Sequence, residues 1–266
     1  MNGVRFYRDM DLPYFELKEC DTSQLSYKKH AHEEYSLGIV DKGKSSFWYE
    51  GKYEEVSPKT IVFIPPNLVH SCNPQQADHW KYKMLFINTS WIDGFINSKE
   101  RPVFNYPIVK ANSDDEIFNL TNKMIENLTR NVNPLEKEGS IIAIFEKMAS
   151  HFNQIKNKSY KEELPKLKIV KEYLHSKFFE KITLDQLELI SGINKFHIIR
   201  LFKEEFNIPP HTYQTLLRIN YAKKQLRKQR SIAEVALEAG FYDQSHFNKV
   251  FKSHMGITPD RYEKLI

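Results

Sequence analysis

Residues 231–262 read SIAEVALEAGFYDQSHFNKVFKSHMGITPDRY, and they repeat the outline of TLDQLELISGINKFHIIRLFKEEFNIPPHTY at residues 183–213. An offset of 49 residues aligns Asn194 with Asp243, and an offset of 48 aligns the positions just upstream. Each copy predicts a helix, a glycine-containing turn and a second helix. This is the outline of a helix-turn-helix motif, built twice in tandem.

Local signals mark where each predicted helix begins and ends. Two residue pairs have the spacing of a capping box, which satisfies the free amides at a helix start: Thr183 with Gln186, and Ser231 with Glu234. Glycine adopts the left-handed conformation at little cost, so it is predicted to end each leading helix, at Gly192 and Gly240. The predicted N-caps of the second helices are Asn194 and Asp243.

The second helix of each copy has two different faces. One is apolar at helical spacing and is predicted to pack inside: Ile198, Leu201 and Phe202, matched by Phe247, Val250 and Phe251. The opposite face carries mainly hydrogen-bonding and cationic side chains, the types that contact base edges and phosphates in a major groove. The predicted DNA-binding residues are Lys195, Phe196, Ile199, Arg200 and Lys203 in the first copy and Gln244, Ser245, Asn248, Lys249 and Lys252 in the second.

Residues 166–266 resemble the C-terminal DNA-binding domain of the AraC/XylS family of bacterial transcription regulators. Three segments carry the resemblance, namely SIAEVALEAGF at 231–241, QSHFNKVFK at 244–252 and GITPDRY at 256–262. It implies a regulator that binds double-stranded promoter DNA and, as an activator, contacts RNA polymerase.

The resemblance also implies roles within the two second helices, which become the recognition helices at residues 195–205 and 244–253. Arg200 and Lys249 are the expected readers of base edges, because each is able to donate to the acceptors of guanine. Lys203 and Lys252 are expected to meet phosphates.

The charge of the chain is divided unevenly. Residues 161–266 hold 19 Lys and Arg against 13 Asp and Glu, whereas the rest of the chain holds 20 against 21. The basic excess therefore belongs to the half with the doubled motif, as phosphate binding requires.

Length and composition fit two ordinary globular domains, since the chain has 266 residues of which 41% are hydrophobic. No apolar run approaches the roughly 18 residues of a membrane span, and the mixed charges of residues 1–11 do not suit a secretory signal. Cys20 and Cys72 are too few for a disulfide framework. We therefore expect a cytoplasmic protein that has no membrane partner.

The N-terminal part predicts short strands separated by turn signals. The predicted strands are residues 35–40, 45–50, 53–56, 60–64 and 80–87, with a hairpin turn at Glu50-Gly51-Lys52, and such a series favours a barrel or sandwich. His30-Ala-His32, followed by Pro65-Pro-Asn-Leu-Val-His70, is similar to the two signature motifs of a cupin barrel. In this family such a barrel commonly serves as a sensor that precedes the DNA-binding domain.

Polar residues of the predicted barrel suggest a binding site. His30, His32 and Glu34 alternate onto one strand face, where His70 is able to join them as a ligand for zinc, iron or nickel. The acidic ligand of the cupin motif is missing after His32, and the resemblance implies a sensor without metal, so we expect no metal and no other cofactor. We expect instead a small polar effector, such as a sugar or amino acid, held by His32, Glu34, His70, Asn73 and Trp80.

From residue 113 the hydrophobic period changes to 3.6. Ser113 with Glu116 has capping-box spacing, and Asn133-Pro134 starts a second helix. These helices, at about residues 114–152, either cover the barrel or, as the resemblance implies, pair two subunits into a homodimer.

Residues 211–230 predict one long helix between the two helix-turn-helix motifs. Its cationic side chains suit either phosphate contacts or a solvated face: Arg218, Lys223, Lys224, Arg227 and Lys228.

The predicted fold is α+β with two domains. Residues 1–152 form a cupin-like β-barrel (about 12–110) with two antiparallel helices, residues 153–163 are a linker, and residues 164–266 form an all-α domain with two helix-turn-helix motifs joined by a long helix. The predicted function is a sequence-specific transcriptional activator controlled by the effector. The alternatives are a metal-dependent cupin enzyme fused to a DNA-binding domain and an architectural DNA binder. Without a nucleophile–base set or a phosphate loop, we expect no enzyme.

Overall fold

The computed structural model describes residues 3–9, 12–22, 27–74, 79–95, 108–110, 115–130, 134–152 and 165–264. Its strands are β1 (Gly3–Arg8), β2 (Phe15–Thr22), β3 (Tyr35–Lys42), β4 (Ser45–Tyr49), β5 (Lys52–Val56), β6 (Ile61–Ile64), β7 (His70–Pro74), β8 (Trp80–Ile87) and β9 (Ile108–Lys110). They form a larger antiparallel sheet in the order β1-β2-β8-β3-β6-β9 and a smaller one in the order β5-β4-β7.

Turn chemistry sets the register of the smaller sheet. Glu50 and Gly51 both have positive φ, as a two-residue hairpin requires, and Tyr49 therefore pairs with Lys52. This confirms the predicted hairpin, and β8 has the predicted bounds. Strands β1, β2 and β7 were not predicted, because their charged and polar residues interrupt the apolar alternation.

Helices α1 (Thr89–Phe95), α2 (Asp115–Thr129) and α3 (Pro134–Phe152) accompany the sheets. Apolar residues of α2 and α3 complete one core with the larger sheet: Ile117, Met124 and Ile125 from α2, and Ile141, Ile144, Phe145 and Met148 from α3. The helices thus cover the barrel, one of the two predicted roles. Ser113, Asn133 and the predicted linker 153–163 lie outside the described residues.

The C-terminal half is helical, with α4 (Pro165–Lys177), α5 (Leu184–Ser191), α6 (Lys195–Phe206), α7 (Pro210–Leu226), α8 (Ile232–Glu238), α9 (Gln244–Met255) and α10 (Pro259–Glu263). The pairs α5/α6 and α8/α9 are the two helix-turn-helix motifs, and α7 joins them. The predicted two-domain α+β fold is therefore confirmed. No described helix combines the length and apolar content needed to cross a bilayer.

The predicted caps are confirmed at three of four helix starts. Thr183 and Gln186 form a complete capping box, and the Asn194 and Asp243 side chains accept from amides of α6 and α9. The capping box at Ser231 was a wrong prediction, because its side chain makes no capping hydrogen bond. Burial of Val235 and Ala236 holds α8 in place instead.

The two halves share apolar packing. Val4, Phe6 and Phe86 of the larger sheet lie in one buried cluster with side chains of α7, α8, α9 and α10. On the other side of the interface, Trp48 and Val69 lie in a cluster with α4, α5, α6 and α7. The helical half is therefore docked against the barrel, which decides where the sites described below lie.

Candidate DNA interface and shared ligand cavity

The recognition helices α6 and α9 are oriented by their apolar faces. Ile198 and Phe202 in α6, and Phe247 and Phe251 in α9, are each 0% exposed. A helix that buries one stripe must turn the opposite stripe outward. Because the buried positions are equivalent in α6 and α9, the equivalent opposite face points outward in both copies of the motif.

All ten predicted DNA-binding residues lie on these outer faces. Seven are exposed and three are partly buried, namely Lys195, Ile199 and Asn248. Arg200 lies beside the His197 imidazole at 3.0 Å and the Glu204 carboxylate at 3.7 Å. Exposed ion pairs contribute little to stability, so its guanidinium group is available to another partner. The roles of these ten residues in DNA binding stay a prediction.

Several cationic side chains of the long helix contact the rest of the protein, a role that was not considered from sequence. Lys223 is 3% exposed and donates to Glu34 of the barrel at 3.1 Å, and Lys224 pairs with Glu33. Arg218 donates to the backbone carbonyls of Phe178, Glu180 and Gly240. At Lys223, Arg218 and Arg227, which are buried or partly buried, phosphate contact and a solvated face are both wrong interpretations, whereas Lys224 and Lys228 are exposed, as a solvated face requires.

Glu16 of β2 is the centre of the polar contact between the two halves. This residue is 2% exposed, and its carboxylate accepts from Arg8 at 2.7 Å, from Arg227 at 2.9 Å and from the Tyr262 hydroxyl at 2.8 Å. Burial alone would raise the pKa of this carboxyl, but the guanidinium groups of Arg227 and Arg8 outweigh it and lower the pKa to about 2. Glu16 therefore stays ionised and links the barrel to α7 and α10.

A cavity of about 60 Å³ lies inside the barrel and reaches the docked helices. Its walls are mainly apolar and aromatic, with Val40, Phe47, Val62, Ile64, Met84 and Phe86 among them. Lys223 of α7 and His254 and Met255 of α9 close the side next to the helical half. The cavity is thus shared by both halves, and its polar groups come from both.

Two lysines bring positive charge to this cavity. Lys18, 6% exposed, donates to the Tyr27 hydroxyl at 2.9 Å and to the Met255 carbonyl at 3.3 Å. Burial lowers the pKa of Lys18 to about 8, and the nearby Glu16 acts against that effect. Trp80 also lines the cavity, and its indole nitrogen is buried without a hydrogen-bond acceptor among the described residues. Two ammonium groups and an unpaired N–H donor suit an acidic group of a ligand.

Three histidines converge at the same cavity. The ring centroids of His30 and His70 lie 4.4 Å apart, those of His32 and His70 4.7 Å, and those of His30 and His32 5.1 Å. Burial lowers the pKa of His70 to about 4. Burial, with the His70 ring as a further cause, holds the pKa of His30 and His32 well below its ordinary value. All three rings are neutral at pH 7.

The structure brings together three of the five predicted effector contacts. His32, His70 and Trp80 line the cavity. Glu34 and Asn73 are not part of the lining; Glu34 pairs with Lys223, and the Asn73 side chain accepts from the backbone of Tyr27 at 2.7 Å.

Sequence reasoning missed the contributions of Lys18 and Lys223 to this cavity. The helical spacing of Lys223 could have indicated its burial, because Lys223 lies four residues after Ile219 and three before Leu226, on the buried stripe of α7. Lys18 had no comparable signal, since the first four positions of β2 are all buried regardless of polarity.

The comparisons with known proteins agree with this arrangement. Residues 12–145 match the family model of an AraC-like ligand binding domain, and residues 190–264 match that of a helix-turn-helix domain. The chain belongs to the AraC family of transcriptional regulators. As an AraC-family protein, it is a transcriptional regulator with a DNA-binding domain and a ligand-binding domain.

Several relatives match this AraC-family protein along most of its length. The uncharacterized HTH-type transcriptional regulator YbfI of Bacillus subtilis is 25% identical over 225 residues, which cover 83% of this chain and 81% of YbfI. The probable transcriptional regulator LumQ of Photobacterium leiognathi is 23% identical over 261 residues, covering 97% and 99%.

Solved structures of ToxT from Vibrio cholerae have the same two-domain fold. An apo form of a ToxT point variant superposes with a TM-score of 0.65 at 13% identity and covers 98% of this chain and 99% of its own. A wild-type ToxT structure with a bound unsaturated fatty acid has a TM-score of 0.61 at 13% identity, covering 95% of each chain.

Proposed function

We propose that the protein is a cytoplasmic, sequence-specific activator of transcription whose DNA binding is controlled by an organic acid with an apolar body. The observation that carries this proposal is that the two halves share one cavity. Its lining includes Lys18 from the barrel and Lys223 from α7 of the DNA-binding half. A molecule bound there contacts both halves at once.

The chemistry of the lining selects the class of effector. The apolar walls favour a hydrocarbon or aromatic body, whereas Lys18, Lys223 and the unpaired Trp80 donor favour a carboxylate. This replaces the sugar or amino acid expected from sequence. The ToxT structures are described with an unsaturated fatty acid and with a naphthalenyl butenoic acid, which are ligands of the same chemical class.

The size of the cavity supports a coupling between effector and DNA. A volume of about 60 Å³ holds only a few water molecules, whereas sites for drug-sized ligands measure roughly 300–1,000 Å³. A larger acid must therefore displace a wall, and α7 and α9 form one side. Because those helices carry or flank the recognition surfaces, the acid favours one docking arrangement of the two halves over another, as control by a ligand requires.

Lysine substitution tests the effector class. Isothermal titration of the full-length protein with oleate, and with oleyl alcohol as the neutral analogue, should show binding that depends on the carboxylate. Lys223→Ala should weaken oleate binding roughly 10- to 100-fold, since a hydrogen bond to a charged group contributes about 1.5–3 kcal/mol. The matched control is Lys224→Ala, which removes the exposed neighbour paired with Glu33 and should leave affinity unchanged. Equal binding of acid and alcohol would exclude an organic acid.

DNA binding is tested with sites obtained from a genome-wide map of the full-length protein. Arg200→Ala should relax specificity at one base pair and cost about 1–3 kcal/mol there, whereas Lys203→Ala should weaken all sites alike. Oleate should change the affinity for the mapped sites, as measured by fluorescence anisotropy. Activation is checked with a reporter gene, and the predicted homodimer is checked by sedimentation at micromolar concentration. Sequence-independent binding would instead favour an architectural DNA binder.

A further inference from the structure

Lys18 differs from Lys223, the other lysine that lines the shared cavity with an ammonium group close to both halves, in what its side-chain nitrogen contacts. Lys18 Nζ donates to the Tyr27 hydroxyl at 2.9 Å and to the Met255 carbonyl at 3.3 Å, and both acceptors are neutral. Lys223 Nζ instead donates to the Glu34 carboxylate at 3.1 Å. Of these two lysines, only Lys223 therefore has its charge compensated by direct contact with a carboxylate among the described residues.

Burial with neutral partners favours the uncharged form of Lys18. An ammonium group that leaves water without gaining a carboxylate contact loses solvation free energy, which lowers its pKa. Desolvation is the largest cause at Lys18, whose pKa falls from 10.5 to about 8 although Cys20 and Glu16 act in the opposite direction. At pH 8 about half of these side chains are therefore amines. A neutral amine has a lone pair that attacks a carbonyl carbon, as desolvated lysines do in proteins.

From these contacts, we propose that Lys18 forms a reversible imine with a small aldehyde that has an apolar body. Lys18 lines the cavity, and apolar side chains such as Val40, Val62 and Ile64 form much of its wall. The volume of about 60 Å³ suits a short aliphatic chain better than a long one. The cavity is the one assigned above to the effector, but the reaction needs neither an acidic ligand nor DNA.

The condensation is balanced without an oxidant or a cofactor. The Lys18 amine attacks the carbonyl carbon, a C–N bond forms, and the carbonyl oxygen takes up a proton to give a carbinolamine. The C–O bond then breaks, the oxygen leaves as water, and a C=N bond remains. The Tyr27 hydroxyl, 2.9 Å from Nζ, is able to protonate the departing oxygen, and the proton lost from nitrogen restores this hydroxyl. Tyr82 donates to the Tyr27 hydroxyl at 3.1 Å and so holds it beside the amine.

Imine formation changes a contact with the second recognition helix. The imine nitrogen carries at most one hydrogen, so it cannot donate to the Tyr27 hydroxyl and the Met255 carbonyl together. Met255 is the last residue of α9, whereas Lys18 belongs to the barrel. The adduct therefore weakens the polar contact between the two halves, and on the proposed function this alters the docking that the effector controls.

Reductive trapping locates the reactive lysine. The full-length protein is incubated at pH 8 with butanal and sodium cyanoborohydride, which reduces an imine to a stable secondary amine, and peptide mass spectrometry gives the labelling rate at each lysine. An ordinary lysine, with a pKa near 10.5, is about 0.3% amine at this pH, roughly 100-fold less than Lys18. Slow entry into the cavity offsets part of this difference, so Lys18 should be labelled at least about 10-fold faster than Lys223 and than the exposed lysines.

Controls connect the labelling to the folded cavity. In urea the preference for Lys18 should disappear. Lys18→Met should remove the single fast adduct seen by intact-mass measurement, whereas Lys224→Met, at an exposed lysine paired with Glu33, should keep it. A thermal melt accompanies each variant, and the comparison of Lys18 with Lys223 in the wild type carries the test if Lys18→Met does not fold.

The proposal is overturned if Lys18 is labelled no faster than Lys223 while the α-amino group of the same chain reacts, since that group shows that the reagents are active. It is also overturned if the fast adduct persists in Lys18→Met. Oleate separates this proposal from the effector class, because an acid that occupies the cavity should slow the labelling of Lys18. Fast labelling that oleate does not change would contradict the organic acid and support the imine.

Discussion

Replacing Glu16 by glutamine tests how the barrel and the DNA-binding half are held together. Arg227 and Arg8 outweigh the effect of burial and lower the pKa of this carboxyl from its ordinary 4.5 to about 2. One pKa unit corresponds to about 1.4 kcal/mol, so the ionised carboxylate contributes about 3 kcal/mol to folding at pH 7. A lowered pKa gives stability that is complete well above pH 4.5 and is lost as the pH falls from 4.5 towards 2.

Urea unfolding at two pH values measures this contribution. At pH 7 the free energy of unfolding of Glu16→Gln should be about 3 kcal/mol below that of the wild type. At pH 3.5 the carboxyl is largely protonated in the unfolded chain but still ionised in the folded one, so the wild type has lost about 1.4 kcal/mol and the difference narrows to about 2 kcal/mol.

Glu19→Gln on the same strand is the matched control, since Glu19 accepts from the Tyr7 hydroxyl at 3.1 Å and not from an arginine in the described residues. At pH 7 its free energy of unfolding should fall by clearly less than that of Glu16→Gln, because no buried ion pair is broken. The reasoning is refuted if the Glu16→Gln difference is the same at both pH values. A difference below about 1 kcal/mol at pH 7 would also refute it, because breaking a buried ion pair costs about 3–5 kcal/mol.

Two further predictions compare the two copies of the helix-turn-helix motif by urea unfolding. Thr183→Ala should lower the free energy of unfolding by about 1 kcal/mol because it removes a working cap, whereas Ser231→Ala should change it by less than about 0.5 kcal/mol; equal losses would contradict the capping assignment. Gly192→Ala should cost about 1–2 kcal/mol of left-handed strain, with open space around the new methyl group. Gly240→Ala should cost clearly more, because the methyl would lie 2.2 Å from the Phe179 carbonyl oxygen; similar losses for the two glycines would show that this contact relaxes.

Features set by neighbours along the chain were predictable from sequence. The caps at Asn194 and Asp243 and the hairpin at Gly51 follow from side chains and backbone preferences within a few residues, and the structure confirms them. The alignment of the two repeats also predicted which faces of α6 and α9 are apolar.

Features set by contact between the two halves were not predictable in the same way. Glu16 and Lys18 are buried in β2 partly by groups that lie more than two hundred residues away in sequence, namely Arg227, Tyr262 and Met255. Nothing near them in sequence distinguishes them from charges on an exposed strand. The spacing of Lys223 along α7 indicated a buried position, but a lysine is normally expected at the surface. Its burial became understandable only with the ion pair to Glu34, which the sequence does not indicate.

The division of the cavity between two domains limits how this regulator can be recombined. Sensor and DNA-binding domains are often regarded as exchangeable parts, yet here part of the cavity wall belongs to α7 and α9. A chimera that joined this barrel to the DNA-binding domain of another regulator would keep Lys18 and the histidines but lose Lys223, His254 and Met255. On the proposed function, such a hybrid would inherit only part of the specificity for the effector, and a change of effector in evolution must alter both halves of the gene together.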